Sequence, residues 1–254
     1  MPLPQTPSFR LDGRRALVAG ASSGIGRAAA VALAQAGARV TLLARQADNL
    51  VLLQSEMRAE GLEADYLALD ICDTAKMEST LAAQAPYEIL VNSAGLARHS
   101  PALQTIESDY DAVTNVNVKA AYFLTRAVAK SLVGAQRSGS LINVSSQMGL
   151  VGGIDRAVYC ATKHALEGMT KAMAVEWGPH KIRVNTLCPT FTRTPLAEQT
   201  LSIPARRNWI EDQIKLGRIA EVEDLMGAVV FLASDAAAMM TGTSLLIDGG
   251  WTAS

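Results

Sequence analysis

Ser146, Tyr159 and Lys163 are the residues whose types and spacing fit proton transfer to or from an alcohol or carbonyl oxygen. Tyr159 and Lys163 are four residues apart, so a helix would place both side chains on one face. A free tyrosine ionises near pH ~10, and an ammonium group beside it would lower that pKa. Ser146 could hold the substrate oxygen while the phenol exchanges its proton. The alternative is a half-buried ring beside a solvated amine, so the interpretation depends on the rest of the chain.

Short apolar runs alternate with helix-favouring stretches along the whole chain. Strands are predicted over residues 15–19, 39–43, 64–69, 88–91, 140–144, 183–187 and 244–247. Helices are predicted over residues 27–36, 48–60, 74–83, 107–134 and 222–233, and over a stretch that contains Tyr159 and Lys163 and ends near Trp177. This alternation predicts an α/β fold in a single domain, a Rossmann-type, doubly wound, seven-stranded parallel sheet flanked by helices.

A glycine-rich turn, GASSGIG, joins the first predicted strand to the first predicted helix. Glycines there let the backbone approach a phosphate closely, and the following helix N-terminus favours a pyrophosphate. A tight strand-to-helix turn also wants glycine for purely structural reasons. The candidate phosphate-binding residues are Gly20, Ser22, Ser23, Gly24, Ile25 and Gly26.

Polar clusters follow the predicted strands at their carboxyl ends, where ligands of doubly wound sheets bind. The clusters are the glycine turn, Arg45, Asp70, residues 92–95, Ser146 and residues 189–194. We therefore expect one dinucleotide-sized cleft, with Ser146, Tyr159 and Lys163 at its far end.

These motifs, taken in chain order, resemble the short-chain dehydrogenase/reductase family over nearly the whole chain. The matching segments are GASSGIG, the NSAG at 92–95, Asn117 within VNV, Ser146 with Tyr159 and Lys163, and the IDGG at 247–250. The offset of 13 residues between serine and tyrosine selects Ser146 over Ser145. The resemblance implies an NAD(P)-dependent oxidoreductase that interconverts a secondary alcohol and a ketone.

The resemblance also implies a role for each catalytic residue. Tyr159 would be the general acid/base and Ser146 would position the substrate oxygen. Lys163 would lower the pKa of the tyrosine and bind the nicotinamide ribose. Asn117 would hold a water linking Lys163 to solvent; taken without the other residues, it is better interpreted as a helix-interior amide bonded to backbone.

Further cofactor contacts are implied by the same resemblance. Asp70 and Ile71 would contact the adenine. The cofactor would be lined by Asn92, Ala94 and Gly95. Thr194 would contact the nicotinamide carboxamide, from a loop that begins at Pro189. The chain departs from the family pattern at Ala19, where threonine is usual, and at Thr190, where glycine is usual. Ala19 removes a hydroxyl that could brace the glycine turn.

Arg45 indicates which form of the cofactor is preferred. NAD enzymes of this fold place an acid after the second strand to bind the ribose 2′-hydroxyl. Here Arg45 stands at that point with no carboxylate beside it, and it offers a cation for a 2′-phosphate. We predict NADP(H) as the preferred cofactor, with NAD(H) also possible; the alternative is a solvated arginine at a helix start.

The substrate pocket is expected around Ser146, Gln147, Gly153, Ile154 and Tyr159. A polar insert over residues 194–217 is placed to act as a lid. The roles of Arg98, His99, Arg206, Arg207 and Trp209 stay open. A sugar, polyol or hydroxy-acid substrate is favoured; the alternatives are a 3-oxoacyl-thioester reductase and a dinucleotide-binding sensor without turnover.

Composition excludes several classes of partner. The 254 residues carry a net charge of −1 and no basic run, so neither nucleic acid nor an anionic membrane is expected as a partner. No apolar window is long enough for a membrane span. Residues 1–10 read as a loose, proline-rich leader before a domain over 11–254, and not as a signal peptide. Three scattered cysteines predict no disulfide framework and indicate a reducing compartment. Without other targeting signals, the predicted location is the cytoplasm. No cluster of His, Cys or Asp has the spacing of metal ligands, so no metal is expected.

Two of the long predicted helices carry more apolar residues than one buried stripe requires. The extra residues include Val128, Leu132, Met169 and Met173. Such a surface predicts burial against another copy of the chain, in a homotetramer or a dimer.

Overall fold

The strands of the protein form one parallel sheet of seven. The computed structural model describes residues 3–253, so residues 1, 2 and 254, the first two of which belong to the expected leader, lie outside the described residues. The strands are β1 (Arg15–Ala19), β2 (Arg39–Ala44), β3 (Ala64–Ala68), β4 (Ile89–Asn92), β5 (Gly139–Val144), β6 (Ile182–Pro189) and β7 (Ser244–Ile247). Their order is β3-β2-β1-β4-β5-β6-β7 and every pair is parallel. The predicted fold class is confirmed.

Helices cover both faces of the sheet. They are α1 (Gly24–Gln35), α2 (Ala47–Ala59), α3 (Thr74–Ala82), α4 (Glu107–Thr114), α5 (Ala121–Gly134), α6 (Ala157–Trp177), α7 (Pro195–Leu201), α8 (Pro204–Gln213) and α9 (Glu223–Ala233). None of the described helices combines the length and apolar character that crossing a bilayer requires.

Successive side chains of β1 point into two different apolar layers, as expected of a strand covered on both faces. Val18 packs with Leu33 of α1 and Val229 of α9. Leu17, its neighbour, packs in the opposite layer with Leu124 of α5 and other side chains of α3, α5 and α6. The second of these layers packs against α6, which holds Tyr159 and Lys163, through Met173 and Ala174.

Two stretches differ from their predicted form. The helix predicted over 107–134 is divided by a π-helical turn at Asn115–Ala120. The insert at 194–217 folds into α7 and α8. Each begins with a proline at its first helical turn, and Thr194 caps α7 by accepting a hydrogen bond from the backbone N–H of Ala197 at 3.2 Å.

The apolar residues expected to face another copy of the chain are mostly inside this one. Val128, Leu132 and Met173 are buried between their helices and the sheet. Met169 is partly buried. These helices are packed on more than one side by the same chain, so these buried residues do not by themselves indicate self-association.

The turn after β1 depends on the absence of side chains at two glycines. Gly20 has φ +75°, and a Cβ there would lie 2.8 Å from the backbone nitrogen of Ala94. Gly26, in the first turn of α1, would place a Cβ 2.1 Å from the carbonyl oxygen of Gly20. The close approach of helix to turn therefore requires glycine at position 26.

We predict that Gly26→Ala lowers the free energy of unfolding by about 3 kcal/mol, because backbone must move to admit the methyl group. Gly134→Ala is the matched control, since a Cβ there meets nothing within 4 Å at the end of α5. That control is expected to stabilise the protein by up to ~1 kcal/mol through helix propensity. Urea unfolding followed by circular dichroism measures both, and equal stability of the two variants would contradict the packing described for the turn.

Candidate active site

Tyr159 and Lys163 lie on one face of α6, beside the carboxyl end of β5. The Lys163 Nζ donates a hydrogen bond to the carbonyl oxygen of Val144 at 2.9 Å, and lies 5.5 Å from the centroid of the Tyr159 ring. Ser146 follows the same strand by two residues. All three residues line one cleft, so the structure brings the predicted set together.

Short polar contacts hold Ser146 in place. Its Oγ accepts from the backbone N–H of Met148 at 3.1 Å and donates to Oε1 of Gln147 at 2.9 Å. The Nε2 of Gln147 in turn faces the hydroxyl of Thr190 at 3.4 Å. Gln147 therefore lines the cleft, as predicted, and also orients Ser146.

The pKa values of the two ionisable residues are set mainly by burial. Burial lowers the pKa of Lys163 to about 8, against smaller opposing effects of Cys188 and Glu167. Burial also raises the pKa of Tyr159 above its ordinary value, while Ser146 and then Arg156 act to lower it. The expectation that Lys163 lowers the pKa of the tyrosine stays a prediction; the ammonium group lies on the Tyr159 side of α6 and donates to the Val144 carbonyl.

Asn117 lies in the π-helical turn and is buried. Its Oδ1 accepts from the N–H of Leu96 at 2.8 Å, and its Nδ2 donates to the carbonyl of Leu96 at 2.9 Å and to the Thr162 hydroxyl at 3.1 Å. The side chain therefore fastens the loop after β4 to α6. The water role implied for Asn117 stays a prediction.

The cleft runs along the carboxyl ends of the strands and has a volume of about 600 Å³, within the range typical of ligand pockets. Most of the residues predicted to bind the cofactor line it, namely Gly20, Ser22, Ser23, Gly24, Ile25, Arg45, Asp70, Ile71, Ala94, Gly95, Pro189 and Thr194. Gly26 and Asn92 lie behind the lining; the Asn92 Oδ1 accepts from the N–H of Ala94 at 3.3 Å. These two residues shape the surface that a ligand would touch.

Two residues predicted to shape the substrate pocket lie outside the cleft lining. Ile154 is 76% exposed and points into solvent. Gly153 lies behind Met148 and Arg156, so that a Cβ there would be 2.8 Å from the Met148 sulfur. Both residues are close in sequence to Ser146, but neither lies on the surface of the cleft.

The first turn of α1 fits the pyrophosphate of a dinucleotide. Ser23 occupies the N-cap position, but its side chain makes no capping hydrogen bond, and the first turn contains no acidic residue. The amides at this helix end are thus available to an anion from the cleft. Gly24 leaves room for Thr194, whose Cγ2 would lie 3.0 Å from a Cβ at position 24.

Arg45 lies exposed on the cleft lining just after β2. Among residues 3–253 it has no carboxylate within 4.0 Å. Arg39, at the other end of the same strand, is paired with Glu63 at 3.0 Å. The cation at the cleft end of β2 is therefore free to meet a ligand.

The residues whose roles the sequence left open are mostly engaged with protein neighbours. Arg98 pairs with Asp109 at 2.5 Å, Arg206 with Asp155 at 3.3 Å and Arg207 with Glu211 at 3.0 Å.

The Trp209 ring packs edge-on against Trp251, with centroids 5.5 Å apart. His99 lies in the cleft, and its ring meets the Tyr159 ring edge-on with centroids 5.7 Å apart.

Arg156 is a cleft residue that the sequence reasoning missed. It immediately precedes α6, is half-buried, and contacts His99 through Nη1. Its Nη2 donates to the hydroxyl of Thr200 at 3.1 Å, and its guanidinium lies over the Phe191 ring at 5.0 Å. A signal existed in the sequence, because Arg156 is three residues before Tyr159 and so one helical turn away.

His99 makes the stability of the protein depend on pH. Burial, then the charges of Arg156 and Arg206, lower its pKa from 6.5 to about 4, so the folded state favours the neutral imidazole. The unfolded state takes up a proton near pH 6.5, so stability is complete above that pH and is lost as the pH falls towards about 4. We predict a loss of about 1–2 kcal/mol in the free energy of unfolding between pH 7 and pH 5 from this residue.

Urea unfolding of wild type and His99→Gln at both pH values tests this prediction. The loss should shrink in His99→Gln and persist in His180→Gln, which changes an exposed histidine far from the cleft. An equal loss in wild type and His99→Gln would contradict the burial of a neutral His99.

Comparison with known proteins agrees with this geometry. A family model described as enoyl-(acyl carrier protein) reductase matches residues 20–252. The D-erythrulose reductase of Gallus gallus is 43% identical over 248 residues, which cover 98% of this chain and 99% of the relative.

Two solved structures have closely similar folds. A gluconate 5-dehydrogenase from Burkholderia cenocepacia J2315, in complex with NADP and tartrate, has a TM-score of 0.93 at 33% identity, over 97% of this chain and 98% of that one. A short-chain type dehydrogenase/reductase from Mycobacterium marinum has a TM-score of 0.89 at 32% identity, with the same coverage of both chains. Together with the family motifs, these matches confirm the predicted resemblance: the chain belongs to the short-chain dehydrogenase/reductase family of NAD(P)-dependent oxidoreductases.

Proposed function

We propose that this protein interconverts a secondary alcohol and a ketone with a nicotinamide dinucleotide as hydride carrier. The observation that carries the proposal is the position of Ser146, Tyr159 and Lys163 at one end of the cleft. Its other end has the open first turn of α1 and the unpaired Arg45. We further propose that residues 11–254 act as one catalytic domain and that residues 1–10 are a leader outside it.

Each residue of the set has a distinct part in the reaction. A nicotinamide held in the cleft would supply the hydride in reduction and accept it in oxidation. Tyr159 donates a proton to the carbonyl oxygen in reduction and accepts the proton of the alcohol in oxidation. Ser146, whose Oγ accepts from the N–H of Met148, would turn its one hydroxyl proton from Oε1 of Gln147 to the same oxygen as charge develops there. Lys163 contributes positive charge beneath the tyrosine and a donor for the ribose, and Asn117 supports the loop beside it.

The substrate end of the cleft favours a sugar, a polyol or a hydroxy acid. Its lining includes the hydroxyls of Thr190, Thr192 and Thr200, together with His99 and Arg156. Polar groups of this density match a chain of hydroxyls. The D-erythrulose reductase and gluconate 5-dehydrogenase relatives are named for substrates of these kinds.

Two other functions are less well supported. A 3-oxoacyl-thioester reductase would bind an apolar acyl chain, for which the charged Arg156 in the cleft lining is an unfavourable neighbour. A dinucleotide-binding sensor without turnover would not need the complete Ser146, Tyr159 and Lys163 set. Turnover of an acyl thioester but of no sugar would favour the thioester reductase. Turnover of neither substrate class would favour the dinucleotide-binding sensor.

NADP(H) is the cofactor form that the adenosine end supports. Arg45 has no carboxylate partner in the described part of the chain, and Asp70, on the neighbouring strand end, accepts a hydrogen bond from the N–H of Cys72 at 2.9 Å. A guanidinium without an acid beside it can bind a 2′-phosphate through two hydrogen bonds. The related gluconate 5-dehydrogenase structure contains NADP.

We also propose a homotetramer or dimer and a cytoplasmic location. The surface that supports assembly lies on α4, α5 and α6, where Tyr110 is 51%, Tyr122 40% and Val175 80% exposed. Large apolar side chains at this exposure are candidates for an interface. The free thiols of Cys72, Cys160 and Cys188 suit a reducing compartment.

Tyr159→Phe tests the proposed function. We predict that this change lowers kcat for carbonyl reduction by about 10²–10⁴-fold, because it removes only the proton donor. NADPH binding, followed by nicotinamide fluorescence, should stay close to wild type. Tyr66→Phe, which changes a partly exposed tyrosine on β3 outside the cleft lining, is the matched control and should retain full turnover. Undiminished reduction of a sugar ketone by Tyr159→Phe would contradict the role of Tyr159.

Arg45→Ala tests the cofactor preference. We predict that it weakens NADPH binding by about 10- to 100-fold and leaves NADH binding nearly unchanged, because a charge-assisted contact to the 2′-phosphate is lost. Arg39→Ala, at the far end of the same strand, should alter neither affinity. Parallel fluorescence titrations with both nucleotides measure the ratio, and an unchanged ratio in Arg45→Ala would remove the basis for NADP(H) preference.

A further inference from the structure

The guanidinium of Arg156 is a half-buried cation whose recorded contacts are with neutral groups. Its donors meet only neutral groups, the His99 ring and the Thr200 hydroxyl, and its flat face lies over Phe191. Among residues 3–253, no carboxylate lies within 4.0 Å of it. Partial burial of a charge without a counter-ion costs free energy. A ligand of opposite charge bound in the cleft would offset that cost.

The charged groups around Arg156 leave a positive charge at this end of the cleft. Asp155 is the acid next to Arg156 in sequence, and its Oδ2 accepts a hydrogen bond from Nη2 of Arg206 at 3.3 Å. Arg98 is paired with Asp109. His99 is neutral above about pH 4, its lowered pKa. The Arg206–Asp155 pair cancels internally, so the charge of Arg156 is not offset by its neighbours.

Arg156 also stands close to the reacting groups. It precedes Tyr159 by three residues and lines the same cleft. His99 lies between them, bonded to Arg156 and in edge contact with the Tyr159 ring. A substrate whose oxygen meets Tyr159 would therefore extend the neighbouring part of its chain towards Arg156.

We propose that Arg156 is the carboxylate-binding residue of the substrate site, and that the preferred substrates are polyhydroxy acids and their keto forms rather than neutral sugars. This inference rests on the proposed function. A guanidinium binds a carboxylate through two parallel hydrogen bonds, a geometry that a terminal hydroxymethyl group cannot provide. The acid group would fix which carbon of the chain lies beside Tyr159.

D-gluconate and D-glucitol are a matched pair of substrates for the test. They share a six-carbon polyhydroxy chain and differ in having a carboxylate or a hydroxymethyl group at C1. With NADP⁺ as oxidant, wild type should show a lower KM for gluconate. Arg156→Gln should raise that KM by about 10- to 100-fold while changing the KM for glucitol little, and Arg156→Lys should recover part of the loss. Arg207→Gln, on the outer part of α8 and paired with Glu211, is the control and should change neither.

The same data separate carboxylate binding from an effect on Tyr159, whose pKa the charge of Arg156 lowers. An electrostatic role alone would reduce kcat and shift the pH profile equally for both substrates, with no selective change in KM. That result would overturn the proposal, as would a wild-type preference for glucitol.

A failure of the proposed function is distinguishable from a failure of this inference. If wild type oxidised neither compound, calorimetric titration of gluconate into the NADP⁺ complex would still decide the carboxylate site. Binding to wild type that is lost in Arg156→Gln supports the site, whereas absent or equal binding overturns it. Turnover of glucitol but not gluconate would leave the oxidoreductase function standing and remove the carboxylate role.

Discussion

The common direction of the seven strands is the constraint on which the rest of the structure depends. Because β1 to β7 are all parallel, their carboxyl ends meet at one edge of the sheet. At this edge the chain passes from each strand into a loop or the start of a helix. Backbone amides and polar side chains there are not paired with a neighbouring strand. Arg45 and Ser146, remote in sequence, thus line one cleft.

Lys163 shows what the site costs the fold. Its ammonium group is buried, with the Val144 carbonyl as its hydrogen-bond acceptor. One turn further along α6, the buried carboxylate of Glu167 accepts hydrogen bonds from the hydroxyls of Thr186 and Ser244. A layer of buried polar groups therefore lies between α6 and the sheet, where an apolar layer would pack at lower cost. The fold accepts this cost in positioning Tyr159.

The parts of the fold and site that could be predicted are those specified by local sequence. The strands Arg15–Ala19 and Ser244–Ile247 have the predicted bounds, since turns punctuate them. The Tyr159 and Lys163 pair needed only helical spacing. Other features depend on contacts between residues that are distant in sequence. Arg156 is bonded to Thr200, which lies 44 residues later, and the raised pKa of Tyr159 results mainly from burial in the folded chain. The exposure of Ile154 likewise depends on how the loop folds, which spacing does not encode.

The proposed function requires one cleft to hold the dinucleotide with its reactive end beside Tyr159. A crystal structure of the protein grown with NADP⁺ tests this most directly. We expect the dinucleotide along the carboxyl ends of the strands, with the pyrophosphate at the start of α1, the 2′-phosphate at Arg45 and the nicotinamide beside Tyr159. A dinucleotide bound elsewhere, or bound in the cleft with its nicotinamide at Arg45, would contradict it.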